Sequence, residues 1–153
     1  MRLPVKKKKR FGGTTVEYAI VFPALFLLLL GIVIGASGIF RYQETAHLAR
    51  KAARWASVHG TDWAKDTGNT AATPTDIYNN AIAPYAVILD PSKLSYSVSW
   101  QPSNAPNHPT NQGGQVVPVT NTVTVTVSYQ WIPEAFFTGS INLSSTSVMP
   151  MSY

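Results

Sequence analysis

The apolar and polar positions divide the chain into three stretches. From Tyr18 to Phe40 the sequence reads YAIVFPALFLLLLGIVIGASGIF, with no charged side chain between Glu17 and Arg41. As a helix this stretch is about 34 Å long, against a hydrocarbon core of about 30 Å, so it is long enough to span a bilayer. Beyond Arg41 the helical period continues with a different face. Ala46, Ala49, Ala52, Ala53 and Ala56, with Leu48 and Trp55 nearby, form a small-residue stripe, while Arg50 and Arg54 stand one turn apart elsewhere. Gly60 is a natural stop. The pattern predicts one long helix over residues 13–60, with its transmembrane part at about 18–40. Two partners suit the alanine stripe: the protein's own sheet, or neighbouring helices that small residues allow to approach closely.

The remainder, 61–153, changes period. TDWAKDTGNTAATPT is polar and turn-rich and predicts a surface loop, after which Thr75 or Asp76 can cap a short helix, DIYNNAIA, that Pro84 interrupts. In KLSYSVSWQ, Leu94, Tyr96, Val98 and Trp100 alternate with serines. In NTVTVTVSYQW, Val123, Val125, Val127, Tyr129 and Trp131 alternate with Thr, Ser and Gln. Strict alternation predicts strands with one wet face. PSNAPNHPTNQGGQ, between them, predicts a loop without a regular element. INLSSTSVMPMSY puts Ile141, Leu143, Met149 and Met151 on one side, with Pro150 marking an edge strand or a late break. The predicted fold class is α+β: a long N-terminal membrane-spanning helix followed by a small antiparallel sheet of about three strands.

Charge sharpens this picture. The formal net charge of +5 is misleading, because Arg2, Lys6, Lys7, Lys8, Lys9 and Arg10 are half of the 12 Lys+Arg, and none of the 7 Asp+Glu precedes Glu17. Residues 1–12 are a basic leader, and the rest of the chain is close to neutral. A basic cluster before an apolar span predicts a cytoplasmic N-terminus and an extracytoplasmic C-terminal domain. A secretory signal peptide also starts basic and turns apolar, but its apolar core is usually about 7–15 residues, and here the helix pattern runs on where a cleavage site would be expected. The absence of cysteine removes any disulfide framework or thiolate metal site.

Leader, glycines and helix meet in RFGGTTVEYAIVFP. This motif resembles the processing site of type IV pilin-like precursors, in which a prepilin peptidase cuts after a glycine and a glutamate stands fifth beyond the cut. Cleavage after Gly12 makes Gly13 the first mature residue, with Glu17 fifth and Tyr18 following. A cut after Gly13 remains the alternative. The Glu17-Tyr18 pair is similar to that of the tight-adherence (Flp) branch. VEYAIVFPALFLLLLGI followed by ARKAARWAS resembles TadE-like minor pseudopilins over residues 10 to about 58, and residues 119–153 resemble their last two strands loosely. The chemistry agrees: Gly12 and Gly13 allow close backbone approach, the cationic leader suits an anionic membrane face, and Glu17 is costly at the edge of hydrocarbon unless paired. Pro23 lacks an N–H and leaves the Ala19 carbonyl without its helical partner, which predicts a bend or loosening there.

Enzymatic readings find little support. His47, His59 and His108 are scattered, and neither a Walker-type loop nor an HExxH helix occurs. Asp62, Asp66 and Asp76 lie in a polar stretch where solvation is the ordinary fate of carboxylates. No cofactor, metal or nucleic acid is expected, since the basic leader abuts a membrane span. The resemblance implies a structural subunit, a minor pseudopilin for a Flp/Tad-type pilus or related secretion system, in contact with a prepilin peptidase, other pilin-like subunits and lipid. The alternative is a single-span anchored extracytoplasmic binding module using the loops Thr61–Pro74 and Pro102–Pro118.

Overall fold

The computed structural model describes residues 13–107, 110–117, 121–134 and 139–152. The leader with Gly12, and also His108, lie outside the described residues. The chain divides into two compact units, Met1–Ala36 and Ser37–Tyr153.

Helix α1, Gly13–Ser57, runs through both. In the first unit its large apolar side chains are bare: Ile20, Phe22, Leu28 and Ile32 are each more than half exposed. A soluble core helix would bury such residues. The stretch is long and apolar enough to cross a membrane, and none of its most apolar window is buried among the described residues. α1 is helical at every residue from 19 to 27, so the loosening expected at Pro23 does not appear as a break. Proline removes one hydrogen bond from the ladder, and the bonds on either side hold the turn.

The second unit contains the sheet. β1 (Leu94–Gln101), β4 (Thr122–Trp131) and β5 (Ile141–Pro150) form an antiparallel sheet in the order β1-β4-β5. The register pairs Val125 with Val98 on one side and Ser147 on the other, so odd-numbered β4 residues share the inner face with even-numbered β1 and odd-numbered β5 residues. Val123, Val125 and Val127 are fully buried there, and in α1 so are Leu48, Ala49, Ala52, Ala53 and Ala56. The alanine stripe therefore lies in the unit's own core, where small side chains let the helix sit close to the sheet. Two contacts fix its direction: Gly38 packs on the Trp131 ring, and the Ser152 N–H donates to the Ser57 carbonyl at 3.0 Å. Residues 38–57 of a helix span about 30 Å, close to the length of a ten-residue strand at about 3.3 Å per residue. The outer face of the sheet is a field of hydroxyls, with Thr126 bonded to Thr146 (2.8 Å) and Ser128 donating to Ser144 (2.9 Å) across the strands.

Three expectations about the connections need correction. Residues 61–67 are a helix, α2 (Thr61–Thr67), not a loop, with Gly60 as its N-cap and Gly68 closing it in the left-handed conformation at φ 72°. The short helix α3 starts earlier than predicted, at Pro74–Ile77, and continues through a π-helical turn at Tyr78–Ile82. Its cap is Thr73; Asp76 is the third helical residue, completing a capping box with Thr73. The Asn- and Gly-rich linker contains a small hairpin, β2 (Thr110–Gln112) with β3 (Gln115–Val117), turning through Gly113 and Gly114 at φ 61° and 89°. The Gly-Gly pair supplies the two positive-φ positions such a tight turn requires. Buried Asn121 ties the preceding loop to the sheet: its side-chain amide donates to the Ala105 carbonyl at 2.9 Å, and its backbone N–H to Asn107 Oδ1.

Candidate assembly site on the long helix

Gly13 opens α1, with open space around its Cα, so nothing in the described chain would obstruct an approaching backbone. Glu17 and Tyr18 are both exposed on the first turns, with the Tyr18 side chain 71% accessible. Gly13 and Glu17 are one helical turn apart, about 6 Å along the axis, which brings the Glu17 carboxylate within reach of an amine at residue 13. Among the described residues Glu17 has no ion-pair partner, and the sequence offers no cation between it and Arg41. A carboxylate in this position is compensated by something outside the helix or stays at the interface. Of the sequence-predicted site residues, the structure thus brings Gly13, Glu17 and Tyr18 onto one helix end. Gly12 lies outside the described residues.

The sequence reading missed Gly31 and Gly35. They are four apart on one face of the apolar stretch, and a Cβ added at either would meet nothing within 4 Å. Small residues at this spacing let two helices approach closely in lipid. The signal is present in the sequence as GIVIG, two glycines one helical turn apart within an otherwise bulky apolar run.

Past the apolar stretch, Arg41 is anchored inside the second unit. Its guanidinium donates to Glu134 Oε1 at 2.7 Å and, weakly, to the Tyr129 hydroxyl at 3.5 Å. Glu134 is 55% exposed, so the pair contributes at most about 1 kcal/mol, and its value is positional. On the face of α1 turned away from the core, His47, Arg50 and Arg54 are exposed. A groove of about 820 Å³ lies beside them, with Trp55, Val58 and Met149 among its lining residues.

No match was found among curated proteins or among solved structures. A family model does match on the helix just described: the model for TadE-like protein covers residues 12–54, from the glycine before α1 to the turn carrying Arg54, and over that segment the chain is similar to TadE-like proteins.

Proposed function

We propose that this chain is a minor pseudopilin, a structural subunit held in the cytoplasmic membrane by one helix and taking part in the assembly of a Flp/Tad-type pilus or a related secretion system. The observation that carries the reading is the coincidence, on one segment, of the TadE-like match with a helix whose apolar side chains are left uncovered by the described residues. Lipid can cover them before assembly, and the helices of other subunits afterwards. Gly31 and Gly35 supply a place for such helices to meet.

In this reading a prepilin peptidase removes the basic leader after Gly12, the cytoplasmic end holds Gly13 and Glu17, and the second unit lies outside the membrane. The function requires no bond-making by the chain; its chemistry is that of packing and of one awkward carboxylate. Intact-mass measurement of the protein from membranes with and without the peptidase tests it. Loss of the mass of residues 1–12 only when the peptidase is present is the expected result. Retention of Met1 in both would favour the anchored binding module, for which a pilin peptidase is superfluous.

A further inference from the structure

The second unit carries a further groove, beside the end of α1 and the start of α2. It measures about 400 Å³ and is lined by Trp55, His59 and Trp63 on one side and by Asn69, Thr70, Ala72, Asp76 and Asn80 elsewhere, a size within the range of about 300–1,000 Å³ typical of small-ligand sites. The aromatic wall is built by spacing: residues 55, 59 and 63 follow one another by four across the end of α1 and the start of α2. The His59 ring stacks on Trp55 at 3.9 Å and 11°, and lies 4.7 Å from Trp63 at 57°.

The polar wall has a definite hydrogen-bonding character. His59 Nδ1 is 2.7 Å from the Trp55 carbonyl, which can only accept, so Nδ1 carries a proton and is spent on that bond, leaving Nε2 toward the groove. Asp76 Oδ2 takes both bonds from Thr73, leaving Oδ1. Asn80 Nδ2 donates to the Asp76 carbonyl and Asn69 Nδ2 to the Thr67 hydroxyl, leaving both amide oxygens. The groove therefore combines a two-tryptophan wall with three acceptor oxygens, on Asp76, Asn80 and Asn69, that have no donor among the described residues.

We propose that this groove is a saccharide-binding site, in which a sugar ring lies against the Trp63 side of the aromatic wall and donates its hydroxyls to Asp76, Asn80 and Asn69. A sugar matches both walls at once, since its C–H faces are apolar and its hydroxyls are donors. A cation would find acceptors and aromatic rings too, but only one carboxylate, already bonded to Thr73. The inference does not depend on leader processing.

The test uses the full chain in phosphatidylglycerol nanodiscs, which contain neither sugar nor choline headgroups. Saturation-transfer NMR is run with maltose, cellobiose and N,N′-diacetylchitobiose, and with choline as the cation control. Saturable transfer from at least one disaccharide is expected, with its Kd raised tenfold or more by Trp63→Ala and by Asn80→Ala while far-UV circular dichroism is unchanged. The exposed Asn69→Ala change is a third variant, should Trp63→Ala unfold α2. No transfer from any of the three disaccharides, transfer from choline alone, or parent-like affinity in Asn80→Ala and Asn69→Ala would each overturn the assignment.

Discussion

Gly38 lies so close to Trp131 that a β-carbon on it would stand 2.5 Å from the indole Cζ3. No real Cβ tolerates that distance, so any larger residue must displace the ring, and the Trp131 Nε1 is buried without a hydrogen-bond partner among the described residues. Shape and not hydrogen bonding holds the indole there, and the glycine makes the space.

Gly38→Ala should therefore destabilise the second unit by about 1–3 kcal/mol, the usual range for an overpacked core. Gly35→Ala, three residues earlier and with nothing within 4 Å, is the matched control. Thermal melts of the two variants in detergent, followed by tryptophan fluorescence, should separate them clearly. Equal melting temperatures would mean that Trp131 has another place to go.

The Asp76 carboxyl is held below its ordinary value near 3.8, first by the Thr73 hydroxyl and then by the Thr73 backbone N–H. Because the folded value is the lower one, the capping box contributes stability above the ordinary value, and that contribution is lost as the pH falls through the folded value. Thr73→Val keeps the shape and removes the hydroxyl. Between about pH 5 and pH 2 its stability should fall less than that of the parent. Asp90, similarly lowered by Ser92, titrates in the same direction, so Ser92→Ala should flatten the same limb independently. Superimposable acid limbs for parent and Thr73→Val would show that the box has no bearing on acid sensitivity.

Glu17→Gln should insert at least as well as the parent, because it removes a charge from the edge of the apolar stretch. It should also be processed, yet be poorly recovered with partner pilins after detergent extraction, normalised to membrane abundance. Among the described residues Glu17 has no ion-pair partner, and once the leader is removed an amine at residue 13, its own or a neighbour's, is the nearest compensating group. Equal recovery of the two proteins would reduce Glu17 to an interfacial residue.

The strands were legible because their alternation has only one physical meaning: Thr122–Trp131 places every valine inward, and the helical and strand periods do not overlap. The alanine stripe was legible for the same reason, although its partner was not; periodicity names a buried face without naming what buries it. α2 was missed because TDWAKDT is short and polar, with tertiary anchors that sequence does not display: the Thr61 N–H donates to the Asn104 carbonyl and the Ala72 N–H to that of His59. The hairpin at Gln112–Gln115 was missed because proline and asparagine density nearby outweighed a Gly-Gly turn. In the candidate site, Glu17 was visible as a lone charge, whereas the aromatic groove needed α2 to bring Trp63 beside His59.

The bond from Ser152 to the Ser57 carbonyl joins groups 95 residues apart. If, as proposed, α1 enters the membrane first and the second unit follows across it, the alanine face emerges with no sheet to cover it, and the Ser57 carbonyl lacks its bond from Ser152 until the strand leading to that residue has crossed. The central strand β4 is likewise made after β1 and waits for β5. In that topology closure of this unit waits for β5, and a chain stalled before β5 presents a bare alanine face and the unpaired edge of a valine-rich strand, the two features on which a membrane quality-control protease would most readily act.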